Sequence, residues 1–332
     1  MNQLKFININ DRRIIEGPRD HLMQISPVKY PNAMRVLDKM MRNNWFHWDA
    51  PITDDVGQWK TLPENIRRAV QLDIAFLSNL DGIQFGNLMF NIGRHITAPE
   101  YAMAISRQAW EEAVHVISYE TMIETLDMDP VETYNLFLND EILRAKNEHI
   151  LRMSQMLSQE YSPENFVRAL AGNVALEGIY FQAGFKLFYV LHRQGILPNC
   201  AKMIRYINRD ESNHHLDLFY SLWRDLRAER PELFTPEVAT DCRNILTEAA
   251  RFEITWGTHM VGGGIPGYTP AMIDGHVKAL ADLYSQKLGL GTIFGQTTDP
   301  MDWCEPYMRQ HGVETNFFED KPIEYEDKSL EW

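Results

Sequence analysis

The sequence predicts an all-α fold, a bundle of about eight long helices, on three grounds. Apolar residues recur at helical spacing over most of the chain, and strand-like alternation is nearly absent. Proline and small polar residues punctuate the periodic stretches where helices would start. One stretch, VRALAGNVALEGIYFQAGFKLFYVL, is apolar nearly all round, which suits the centre of a bundle rather than its surface.

After an irregular start, PNAMRVLDKMMRN (31–43) reads as a first helix. The aromatic stretch NNWFHWDAPITDD then forms a loop at Pro51 and the paired aspartates. Pro63 opens a second helix, with Val70, Ile74, Leu77, Leu80 and Ile83 at helical spacing, running to about Asn91 and ended by Gly93. Thr97 is the expected N-cap of a third, which reaches about Leu126. Asp129-Pro130 separates it from a fourth (131–158), and Ser162-Pro163-Glu164 opens the apolar fifth (163–194). A sixth (197–226) and a seventh (236–260) follow; VGGGIPGY is a turn, and 271–288 is the eighth. Residues 1–310 are expected to form a single helical domain, and 311–332, acidic with scattered aromatics, a flexible tail.

Composition narrows the function. A formal net charge of −14 argues against a nucleic-acid partner, which would require a basic face. No run approaches the uninterrupted apolar length of a membrane span, and MNQLKFININDRR lacks the pattern of a secretory signal. Three widely spaced cysteines, Cys200, Cys242 and Cys304, form no metal or disulfide framework, so a reduced, cytoplasmic setting is expected. GLGTIFG places Phe294 where a dinucleotide loop needs glycine, and there is no phosphate-loop lysine.

Two short motifs carry the chemistry: Glu112-Ala113-Val114-His115 and Glu211-Ser212-Asn213-His214. Each sets a carboxylate and an imidazole three residues apart, on one helix face. One copy alone is more often a solvated face. Here apolar neighbours flank both copies: Ala113, Val114 and Ile117 in the first, Ile207, Leu216 and Phe219 in the second. Glu177 lies in the middle of the apolar fifth helix, and Asp81 amid core residues of the second. Acids in such positions need partners, because desolvating a carboxylate is very costly. Asp81, Glu112 and Glu177 have no Arg or Lys three or four residues away. Four carboxylates bring about four negative charges, which two divalent cations would balance; Asp81, Glu112, His115, Glu177, Glu211 and His214 are therefore the expected metal ligands. Oxygen and imidazole donors without thiols suit iron, manganese or a mixture of the two.

With these residues in hand, the chain resembles the small (β) subunit of class I ribonucleotide reductase, a ferritin-like dimetal-carboxylate family. Trp45, Asp81 in LDGIQ, Glu112, His115 and Tyr119 fall at the family's spacing, and ALEGIYFQAGF, RDESNHH and the tail TNFFE…EY match its second half. The resemblance implies a ferritin-like helical bundle with the dimetal site inside a four-helix core. It implies that Asp81, Glu112 and His115 hold one metal and Glu177, Glu211 and His214 the other, with some carboxylates bridging. It implies that the centre activates oxygen and stores a one-electron oxidising equivalent, on Tyr119 or on the metals. Phe181, Phe185 and Ile207 would form the apolar shell around that tyrosine. Asp210 would orient His115, Trp45 (with Trp48 as competitor) would relay the radical equivalent, and Tyr325 would hand it to the large (α) subunit. Leu330 and Trp332 would anchor the tail on that partner, which would also bind the nucleotide substrate. A homodimer is expected on the same ground. The alternative is a ferritin-like oxidase or iron-storage protein, which gives no reason for Trp45, Tyr119 or the aromatic tail.

Overall fold

The computed structural model describes residues 6–19 and 21–304. Tyr325, Leu330, Trp332 and the rest of the expected tail lie outside the described residues. The fold is helical, with isolated bridges Ile15–Ile96 and Ile265–Tyr268 as the extended pairings among the described residues.

The principal helices are α1 (Pro31–Arg42), α2 (Glu64–Asn87), α3 (Pro99–Thr125), α4 (Glu141–Ser154), α5 (Pro163–Ala175) and α6 (Gln182–Arg193). They are followed by α7 (Pro198–Asp210), α8 (Leu216–Glu229), α9 (Pro236–Val261) and α10 (Pro270–Lys287). Proline occupies the first turn of most of them, where its missing N–H costs no hydrogen bond. Ser162, Thr235 and Thr269 cap α5, α9 and α10 by accepting a backbone N–H in the first turn.

Among the described residues, three helical runs pass through a π-turn: Leu88–Ile92 after α2, Leu176–Tyr180 between α5 and α6, and Glu211–His215 between α7 and α8. Each is a local widening to i→i+5 hydrogen bonding, which re-aims the side chains on it. The run Pro163–Arg193 is the apolar stretch of the sequence. It is long and apolar enough to cross a membrane, yet its most apolar window is wholly buried, so it is the core helix of the bundle. One apolar core runs from Ile14 to Cys304.

Some elements differ from the sequence reading. The expected fourth helix is broken into Pro130–Tyr134, Leu136–Asn139, Glu141–Ser154 and Met156–Gln159. Asp140 ends one piece and caps the next, accepting from the N–H groups of Ile142 and Leu143. Gly93 does not end the second helix, which continues through its π-turn to His95. Thr97 does not cap α3; its hydroxyl donates to the Arg13 carbonyl (2.7 Å) and accepts from Gly17 N–H (3.0 Å), tying down the N-terminal segment. Ile117, expected in the core, is exposed.

Helix α7 ends at Asp210 and leads directly into the π-turn that carries Glu211 and His215, and its N-terminus is fixed in trans. Asp55, itself buried, accepts from the backbone N–H of Asn199 (2.9 Å) and Cys200 (2.8 Å). Asp55→Ala is expected to lower stability by about 1–2 kcal/mol in urea unfolding, with Asp55→Asn less severe because it keeps an acceptor.

Candidate metal centre

Four segments bring carboxylates and imidazoles to one place. Asp81 comes from α2, Glu112 and His115 from α3, Glu177 from the first wide turn, and Glu211 and His215 from the second. All are fully buried. They fall into two groups: Asp81, Glu112, His115 and Glu211 in one, and Glu112, Glu177, Glu211 and His215 in the other. Within each group the ligand atoms lie within 4.8 Å of one another. Glu112 and Glu211 belong to both, as bridging carboxylates between two cations would.

The two groups are built alike. In the first, His115 Nδ1 faces Glu211 Oε1 (3.0 Å), Glu112 Oε2 (3.5 Å) and Asp81 Oδ2 (3.6 Å), while its Nε2 is hydrogen-bonded to Asp210 Oδ2 (3.3 Å). In the second, His215 Nδ1 faces Glu211 Oε2 (2.6 Å), Glu112 Oε1 (3.4 Å) and Glu177 Oε2 (3.6 Å), while its Nε2 bonds Glu111 Oε2 (3.0 Å). A carboxylate behind each imidazole fixes the ring and makes the nitrogen facing the cluster more basic, the usual support of a metal-bound histidine. Glu111 is held in turn by Arg107 (3.1 Å).

The donor set fits a pair of divalent cations. Both oxygens of Asp81, Glu112 Oε2, Glu177 Oε2, Glu211 Oε1 and His115 Nδ1 are buried without a hydrogen-bond partner. Stranding so many acceptors in a dry interior is prohibitive unless positive charge sits among them. The remaining oxygen of Glu177 is tied down by the Gln84 amide and by Gln108 (2.7 Å), and Asn87 and Asn173 hold Gln84 in place.

The electrostatics say the same. Burial and neighbouring carboxylates push Asp81 and Glu211 well above the ordinary carboxylate range, and burial raises Glu112. For Glu177, burial acts upward, but its polar neighbours Glu211, His215 and Gln84 outweigh it and lower the group. Burial alone would depress both imidazoles; the surrounding carboxylates override it and raise His115 and His215 well above their usual value. The pocket attracts cations of any kind, protons included.

His214 joins neither of these two groups but lies with Glu111 and Asp210, and His215 stands where the sequence expectation has His214. His214 points to the other side, with Nδ1 near Asp210 (3.4 Å) and Glu111 (3.5 Å) and Nε2 accepting from the Asn43 amide (2.7 Å). The cause is the π-turn Glu211–His215. Widening the turn beyond four residues carries position i+4, rather than i+3, back over Glu211. Glu112 and His115 lie in regular α-helix, where the three-residue spacing holds. Sequence reasoning also missed Glu111. The Glu111-Glu112 and His214-His215 doublets were the available signal, since each motif had a second candidate beside the first.

Tyr119 is fully buried with its hydroxyl unpaired. Burial raises its phenol well above the usual value, and of the nearby charges Asp81 acts on it most. Phe181, Phe185 and Ile207 are likewise fully buried, the two phenylalanine rings stacking at 5.4 Å. Trp45 is buried; its indole N–H donates to Asp210 Oδ2 (2.6 Å), the atom that also bonds His115. Its ring lies 6.0 Å from His115 and 5.1 Å from Tyr206. Trp48 is exposed and stacks on Phe46.

In equilibrium dialysis with Mn(II), His215→Ala is expected to reduce binding from two ions to one per chain, and His214→Ala to leave both. Glu111→Gln, which withdraws the carboxylate behind His215, should weaken one position about 10–100-fold. Equal losses for the two histidine variants would show that the wide turn does not select the ligand.

The family model described as "Ribonucleotide reductase, small chain" matches residues 22–300. The ribonucleoside-diphosphate reductase subunit beta of Treponema pallidum (strain Nichols) is 33% identical over 334 residues, covering 99% of this chain and 94% of its own. That of Chlamydia pneumoniae is 28% identical, covering 99% and 98%. Among solved structures, the ribonucleotide reductase R2 subunit from Clostridium botulinum superposes with a TM-score of 0.85 at 30% identity, covering 92% of this chain and 98% of that one. The dimanganese(II)-NrdF of Streptococcus sanguinis shares the fold, with a TM-score of 0.68 at 19% identity, covering 85% and 95%. By the extent of these matches, this chain belongs to the ribonucleotide reductase small-chain family.

Proposed function

We propose that this chain is the radical-generating β subunit of a class I ribonucleoside-diphosphate reductase, an oxidoreductase acting with a separate catalytic α subunit. The observation that carries the reading is the pair of buried carboxylate–histidine groups sharing Glu112 and Glu211, beside a buried tyrosine with no hydrogen-bond partner. Asp81, Glu112, His115, Glu177, Glu211 and His215 would hold two ions of iron, manganese or one of each, since oxygen and imidazole donors suit all three combinations. When bound, such a pair supplies oxygen activation and one-electron oxidation.

The protein's own part is to place, dry and connect. Tyr119 is the residue we assign to carry the radical. Its phenol keeps its proton until oxidation, because burial and the Asp81 charge oppose a phenolate. Phe181, Phe185 and Ile207 exclude water and reductants that would quench a phenoxyl. Asp210 accepts from both His115 and Trp45, giving a short hydrogen-bonded route out of the site, and this supports Trp45 over the exposed Trp48 as relay. The further step to the α subunit through Tyr325, with the tail as docking segment, is part of the same proposal, as is nucleotide binding on that partner.

A homodimer is the second element of the reading. Helices α2 and α3 pack together, and they and the π-turn after α2 leave Phe85, Met89, Trp110 and Ile117 exposed, apolar surface of the kind an interface uses. A second copy of the chain would cover it.

After loading with Fe(II) or Mn(II) and exposure to oxygen, Tyr119→Phe is expected to abolish any tyrosyl signal in electron paramagnetic resonance while keeping metal content. A persistent signal would move the radical to another residue. Removing residues 317–332 should abolish α-subunit binding and leave the metal content unchanged; a storage protein would lose nothing.

A further inference from the structure

A second buried charged cluster lies on the far side of the turn that carries Glu177. Lys146 of α4 and Glu253 of α9 form an ion pair, both fully buried. Such a pair is poor evidence of stabilisation, because apolar residues of the same volume usually do as well or better. What distinguishes this one is where its remaining bonds go. Lys146 Nζ donates to the Tyr180 carbonyl (3.2 Å), the last residue of the π-turn Leu176–Tyr180. Glu253 Oε1 accepts from Ala183 N–H (2.7 Å), in the first turn of α6. Two helices thus each send a charged group to the backbone of one junction. The Ala183 carbonyl at the same junction accepts from Tyr268 (2.7 Å).

The junction is also packed against α2. A Cβ on Gly184 would lie 2.2 Å from Asp73 Oδ1, so the glycine lets the Asp73 carboxyl press against the chain. Asp73 is eight residues before Asp81 on the same helix. One ammonium faces two carboxyls, Asp73 and Glu253. Burial drives Asp73 well above its ordinary range and brings Lys146 down to about 8, so the cluster carries little net charge.

We propose that Lys146 and Glu253 are positioning residues for the metal position that uses Glu177. By binding the backbone where the wide turn ends and α6 begins, they keep it from closing into regular α-helix. Closing it by one residue would rotate Glu177 by about 100° relative to α6, since an α-helix advances 3.6 residues per turn. The carboxylate would then leave the reach of His215 and of its Gln84 and Gln108 anchors. Asp81, Glu112 and His115 lie on other helices and would not move.

This inference rests on the dimetal reading, and Mn(II) binding separates the two. If the wild-type chain binds fewer than two Mn(II), the dimetal reading fails before any variant is made. Given two, the double variant Lys146→Met/Glu253→Leu, which removes both charges at similar volume, should melt cooperatively and keep the first equivalent. It should bind the second at least tenfold more weakly, read from the signal of free Mn(II) in electron paramagnetic resonance. Wild-type binding of both equivalents by this folded variant overturns the proposal. Glu253→Gln keeps an acceptor for Ala183 and should bind both equivalents as the wild type does. A tenfold loss with Glu253→Gln overturns the proposal, and this holds even if the double variant does not fold.

Discussion

Four carboxylates, fully buried and close together, are the constraint to which the rest of this structure answers. Desolvated anions of like charge cannot share a dry cavity unless cations join them. Among the described residues, no lysine or arginine supplies that charge to Asp81, Glu112, Glu177 and Glu211; the basic groups in contact with them are His115 and His215. Each imidazole is backed by its own carboxylate, Asp210 or Glu111, which turns its other nitrogen into a donor aimed at the cluster. The amides of Gln84 and Gln108 hold one oxygen of Glu177 and leave its partner free. The fold assembles ligands, then orients them, and only then surrounds them with apolar bulk.

Helical geometry sets how those ligands are delivered. Asp81, Glu112 and His115 sit on regular helices, where spacing alone decides which face a residue occupies. Glu177, Glu211 and His215 sit on wide turns. Such turns give up regular hydrogen bonding locally, and they persist where surrounding structure holds them. One half of the site is therefore encoded by periodicity, the other half by what packs around two irregular turns.

This difference explains what could be read from the sequence. The all-α architecture was legible because amphipathic periodicity is long-range and proline marks the helix starts. Asp81, Glu112 and Glu177 were legible as acids in apolar surroundings with no Arg or Lys three or four residues away, and His115 and Glu211 through the doubled Glu-x-x-His spacing. The choice of His214 over His215 was not, because three-residue spacing assumes an α-helix and nothing local announces a π-turn. Glu111 was overlooked because the neighbouring Glu112 already satisfied the motif. Ile117 was misplaced for a related reason: helical spacing groups apolar residues without saying that every one of them turns inward. The breaks at Asn135, Asp140 and Gln155 come from local turn chemistry that the overall helical pattern hides.

The central claim is that two cations sit between these six side chains. Diffraction from crystals grown with Mn(II), with data collected at the manganese absorption edge, tests it most directly. Two anomalous peaks are expected, one among Asp81, Glu112, His115 and Glu211, the other among Glu112, Glu177, Glu211 and His215. No peak there, or a second peak against His214 instead of His215, would contradict it.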